Sequence, residues 1–215
     1  MLKIKNHLIS FLAVIILIAF ATLLGPEEKS LGASVRVVYL HGAWVLAAEV
    51  AFLAAALVGA AGWLARTIRQ AAAYENTFHR WSAALGRTGI IFWLTYLPLS
   101  LWAMQANWNG LFLTEPRFQF ALNFAIAGIL LQAGMWIFHK PLLISAANIA
   151  YFLFLRISFA TAKNIMHPPP SPIFSSGLWN VIVFFVALNL LTWLAAYLLT
   201  RWFFELEPAN HPVIG

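Results

Sequence analysis

Two histidines raise the question of chemistry in this chain. His41 stands in "RVVYLHGAW", at the start of a long apolar run. His167 stands in "NIMHPPPSPIFSS", a polar, proline-rich break between two apolar runs. Neutral imidazole ligates iron, copper and zinc. Two such rings, at similar depth on different elements, can take one metal from opposite faces. The chain has no cysteine, and neither histidine has a carboxylate cluster beside it. A bis-histidine haem iron is therefore the metal centre this pair fits best. Each histidine taken alone reads more readily as an ordinary interfacial residue. The run Pro168-Pro169-Pro170 stiffens the backbone after His167 and would present its ring with little entropy left to lose. Axial nitrogens on one iron stand roughly 4 Å apart, twice a bond of about 2 Å. The fold must then bring the two segments together.

The elements that position them are set by composition. Of 215 residues, 62% are hydrophobic and only 9% charged, and mean hydropathy is +0.82. Such a chain cannot cover itself with polar groups in water, so the bilayer is its solvent. The absence of cysteine excludes disulfides, thiolate metal sites, covalent haem attachment to this chain and thiol redox chemistry. The net charge of +6 is dispersed over short loops and reads as a topology signal rather than a nucleic-acid footprint.

Hydropathy predicts an all-α membrane protein, one polytopic domain of six transmembrane helices. The spans are about 7–25, 38–65, 88–105, 118–138, 142–160 and 180–202, each near the ~20 apolar residues a crossing needs. The connections are a polar loop at 26–37, a basic stretch at 66–87, a short loop at 106–117, a tight turn at His139-Lys140-Pro141 and an open stretch at 161–179. The first span has the outline of a cleavable signal, with Lys3 and Lys5 ahead of Ala19-Phe20-Ala21. With the chain starting at Met1, the expectation is a retained helix. Lys3, Lys5, Arg66, Arg69, Arg80, Arg87, Lys140 and Arg201 fall on one side, against Lys29, Arg36, Arg117 and Lys163 on the other. The excess predicts both termini in the cytoplasm, in a bacterial-type inner membrane. His41 and His167 then face outward. His7, His79, His139 and His211 fall inward, where they read as solvated interfacial residues.

Charges within and beside the spans extend the candidate site. Arg36, Arg117, Arg156 and Lys163 lie on or near the outer side, and arginine pairs with carboxylates such as haem propionates bidentately. Arg156 falls within the fifth span, where a cation is costly and usually functional. It can instead snorkel to the interface or pair with Glu49. Glu49 lies about 12 Å along the helix from His41 and roughly 80° around it. Most of the ten tryptophans fall at expected interfaces; Trp93 and Trp193 lie nearer the middle of their spans.

Three pieces, in order, give the chain a family likeness. "RVVYLHGAW" (Arg36 to Trp44), "WNGLFLTEPRF" (Trp108 to Phe118) and "RISFATAKNIMHPPPSPI" (Arg156 to Ile173) resemble the haem-handling membrane proteins of cytochrome c maturation, the CcmC/CcsA type. In that family the first piece opens the second span. The second piece is an outward tryptophan-rich loop, and the third sets Asn-x-x-His before the last span. The resemblance implies His41 and His167 as axial ligands of a non-covalent b-type haem. It implies Arg117 and Arg156 as propionate partners, and Arg36, Trp44 and Trp108 are further candidate cofactor-binding residues. The implied role is haem presentation at the outer face for cytochrome c assembly, with assembly proteins or other membrane subunits as partners and no nucleic acid. The middle loop has Phe112, Leu113 and Glu115 where the family has tryptophans and aspartate. That difference suits an alternative, an integral subunit of an electron-transfer complex with a resident b-type haem or none. A transporter reading would use Glu49, Arg156, Gln132 and a kink at Pro98.

The topology has a direct check. Single cysteines at Asn109 and Ser175 should react with an impermeant thiol reagent added outside, and one at Gln70 should not. Equal labelling of all three from one side would refute it.

Overall fold

Small residues decide how the helices meet. Helix α2 (Val35–Thr67) buries Ala43, Ala47, Ala48, Ala51, Ala55, Ala56, Gly59, Gly62 and Ala65. This stripe lets neighbouring backbones approach where lipid removes any hydrophobic drive between helices. In the computed structural model, which describes residues 2–29, 31–138, 140–161 and 172–206, α2 is the central helix. It packs most extensively on α3 (Glu75–Trp108), then on α5 (Pro141–Thr161) and α7 (Trp179–Leu206). Helix α1 (Leu2–Leu23) lies against α7, and α4 (Pro116–Phe138) against α3 and α5. A short helix α6 (Pro172–Ser175) precedes α7. Of the described residues, 87% are helical and none forms a strand. Six helices are long and apolar enough to cross a membrane.

Side-chain pairs fix the helix directions. Trp44 meets Thr95 while Gly62 meets His79, so α2 and α3 are antiparallel. Ser145 meets His79 and Phe159 meets Trp93, so α5 runs parallel to α3. Tyr39 meets Phe185 and Thr192 meets Ala43, so α7 runs parallel to α2. The starts of α2 and α7 and the ends of α3 and α5 therefore share one end of the bundle, the His41 end. The starts of α3 and α5 mark the other, the His79 end.

Helix α3 begins thirteen residues before its expected start. The hydropathy pattern stops at Arg87, but a buried face of His79, Ser82, Ala83, Ala84 and Gly86 continues below it. Packing on α2 overrides the local charge, and Ser82 donates to the Ala55 carbonyl at 2.8 Å. A short 3-10 turn at Ala72–Tyr74 divides the expected basic stretch. At the other end Asn109, in the left-handed region at φ 52°, terminates the helix. Pro116 then opens α4, where its missing N–H is not needed, and the Glu115 carboxylate accepts from the Phe118 N–H at 2.8 Å.

Trp93, fully buried near the centre of the molecule, donates its indole N–H to the Ala121 carbonyl at 2.9 Å. Tyr151 donates to the Phe124 carbonyl at 2.8 Å. Two side chains of α3 and α5 thus grip the main chain of α4. Helix α1 is tied at its start by His7, 3.1 Å from Glu205, which also pairs with Arg201.

The tight spots make a testable contrast. A Cβ at Gly89 would stand 2.5 Å from the Phe52 ring, whereas one at Gly134 would meet nothing. Gly89→Ala should destabilise the detergent-solubilised protein by about 1–3 kcal/mol, the usual cost of overpacking. Gly134→Ala should be neutral or slightly stabilising, both read by thermal unfolding.

Candidate functional site

His41 sits in the second turn of α2, half-buried, its ring tilted against that of buried Tyr96 with centroids 5.0 Å apart. Two turns further along α2, the Glu49 carboxylate receives a hydrogen bond from Arg156 of α5 at 2.9 Å. The Arg156 side chain is 54% exposed and that of Glu49 26%. Arginine has five N–H donors, so most of those on Arg156 remain available to a second partner. The field of Arg117, at the start of α4, reaches both Glu49 and Tyr96, and that of Glu115 reaches Tyr96. Helices α2, α3, α4 and α5 thus each contribute a polar group to one end of the bundle.

The expected site residues divide into three groups. His41 packs on Tyr96 and Arg156 pairs with Glu49 two turns further along α2, and the charge of Arg117 acts on both Tyr96 and Glu49. Arg36 turns away from them, donating to the Gly25 carbonyl at 2.9 Å and to Glu27 at 3.2 Å. Together with Tyr39, which donates to the Pro26 carbonyl at 3.2 Å, it closes the first loop. Trp44 spends its indole N–H on Thr95 at 2.8 Å and lies 4.8 Å from the Phe92 ring. Trp108 stands edge-on to Phe112, centroids 6.2 Å apart. His167 and Lys163 lie outside the described residues, as do His139 and His211. The described flanks of the His167 segment are at the His41 end. Phe159 packs on Trp93, and Phe174 packs on Phe185, whose ring also meets Tyr39.

The expectation for His79 is corrected. It is not solvated but 2% exposed, with Nδ1 2.7 Å from Ser145 Oγ. A Cβ at Gly62 would stand 2.7 Å from the ring, so the glycine makes room for it. Beyond it Asn148 donates to the Ser82 carbonyl at 2.9 Å and to Ser82 Oγ at 3.1 Å, and Gln132 reaches Asn148 at 3.5 Å. This polar cluster is missing from the sequence reading. Its signal was present as Gly59 and Gly62 on one apolar helix with Ser82, Ser145 and Asn148 in two others, the small-plus-polar pattern of membrane helix interfaces. Gln132 is engaged there rather than lining a path, and α3 runs through Pro98 without a break.

Among the described residues His41 is the histidine at this end that could be offered to a metal, its half-buried ring tilted against Tyr96. Arg117 and the free donors of Arg156 fit carboxylates arriving at the same end. No family model, curated protein or solved structure matches this chain. The likeness to the cytochrome c maturation proteins therefore rests on the three quoted motifs.

A double-mutant cycle tests the Arg156–Glu49 pair. Arg156→Met and Glu49→Gln should each destabilise the fold, and together by less than their sum. A coupling on the order of 1 kcal/mol is expected for a partly exposed pair. Strict additivity in thermal or denaturant unfolding would mean that Arg156 only snorkels.

Proposed function

We propose that this chain is a membrane haem-handling protein that binds a non-covalent b-type haem at the His41 end. It would present that haem at the outer face of a bacterial-type inner membrane for cytochrome c assembly. The observation that supports the reading is that the His41–Tyr96 contact and the Arg156–Glu49 pair lie at one end of the bundle, where the charge of Arg117 acts on both Tyr96 and Glu49. Haem supplies a redox-active iron with two propionates. His41 would hold the iron from the α2 side, and His167 is the second axial ligand of the proposal. Arg117 and Arg156 would orient the propionates, with Glu49 setting the position of the Arg156 guanidinium. The N-in, C-in orientation belongs to the same proposal and is supported by the Lys and Arg asymmetry. In this role the chain itself carries out no covalent chemistry. The cysteines of an apocytochrome would take the haem.

One observation favours a second reading, a subunit of an electron-transfer complex with a resident haem. The Trp108 ring packs on Phe112, whereas a handing-over protein needs an open aromatic platform.

The absorption spectrum of the purified, haem-loaded protein, with and without dithionite, tests the site. A low-spin, six-coordinate spectrum is expected, and His41→Ala or His167→Ala should each disrupt it. Failure to retain haem, or spectra indifferent to both changes, would sink the proposal. Transfer of the haem to an apocytochrome or chaperone supports handling, and retention with a stable reduction potential supports the resident-haem reading.

A further inference from the structure

The opposite end of the bundle holds a small polar pocket. At the start of α3, a pocket of about 240 Å³ opens between the 3-10 turn and the start of α5. Glu75, Asn76 and His79 line it, with Pro141 and Leu142 across from them. His79 is buried, yet its Nε2 has no hydrogen-bond partner. That nitrogen faces Glu75 Oε1 at 3.8 Å, one helical turn back. The other ring nitrogen is held by Ser145 of α5 at 2.7 Å, and Gly62 of α2 supplies the notch that admits the ring.

We propose that Glu75 and His79 bind a borderline divalent transition-metal ion, of the zinc or copper class, at this mouth. Bonds of about 2.0–2.2 Å put two donors of a tetrahedral ion roughly 3.4 Å apart, so the 3.8 Å separation closes onto one ion with a small movement of the partly exposed Glu75 side chain. Neutral imidazole with carboxylate is the donor set such ions accept. The Ser145 contact is the outer hydrogen bond that fixes the ring of a ligating histidine. Among the described residues no three His, Asp or Glu side chains meet. Asn76, which lines the same pocket, and water would complete the coordination and leave positions open. Arg66 of α2 is the other charge whose field reaches the ring, and it opposes a cation there. The site stands independently of the haem proposal, which concerns the far end of α2.

The test uses the full chain without a polyhistidine tag, in a His41→Ala/His167→Ala background, stripped with chelator. Zn²⁺ is titrated by calorimetry, and Cu²⁺ is followed by electron paramagnetic resonance. One ion should bind, and the copper signal should show coupling to one imidazole nitrogen. His79→Gln and Glu75→Gln should each weaken Zn²⁺ at least tenfold. Ser145→Ala should weaken it by about 10–100-fold, as loss of an outer-shell partner does, and Arg66→Gln should tighten it. Should His79→Gln fail to fold, Glu75→Gln at the pocket rim carries the test. No bound ion in the parent protein, or an affinity indifferent to Glu75→Gln, overturns the proposal.

Discussion

The architecture depends on how closely other helices can approach α2. Its buried stripe of alanine and glycine gives up side-chain volume so that α3, α5 and α7 can all lie against one helix. In lipid this close approach replaces the hydrophobic effect as the source of association. The larger groups of the neighbours then seat in what α2 leaves open. Phe185 faces Gly42, Ser82 and Ser145 meet at Gly59, and His79 enters at Gly62. The buried polar side chains of Ser82, Ser145 and His79 are placed by these contacts.

Both ends of the bundle carry charged pairs, but only the His79 end adds a buried neutral network. At the His41 end Arg156 and Glu49 form a partly open charged pair, and the charge of Arg117 also acts on Glu49. At the His79 end Ser82, Ser145 and Asn148 are neutral, buried and hydrogen-bonded between helices. Buried neutral networks specify packing because any slip leaves a donor without an acceptor in a low dielectric. A charged, exposed pair has little such grip but can exchange partners.

The spans were legible because apolar length is the strongest signal a membrane chain carries. The starts and ends of α4, α5 and α7 lie close to the hydropathy edges for that reason. The start of α3 was not legible. Glu75, Arg80 and Arg87 mark it as a loop in any averaged profile, while the helix is set by a narrow face packed on α2. For the site, the pairing of Arg156 with Glu49 was one of the alternatives read from the chain, since an intramembrane cation demands a counter-charge. The engagement of Arg36 with Glu27 and of Trp44 with Thr95 was not, because both depend on loop closure and helix rotation that spacing alone does not contain. His79 was misread for a related reason. Its charged neighbours suggested water, and the notch at Gly62 lies seventeen positions away on another helix.

The attachment of α4 has an evolutionary meaning. Trp93 and Tyr151 hold it by the carbonyls of Ala121 and Phe124, and a carbonyl is present whatever side chain accompanies it. Substitutions along the lipid-facing side of α4 leave those two bonds intact. The helix that brings Arg117 to the His41 end can therefore drift in sequence to suit different lipids or neighbours while its register stays fixed. The burden of fidelity falls instead on the two aromatic donors, which belong to other helices.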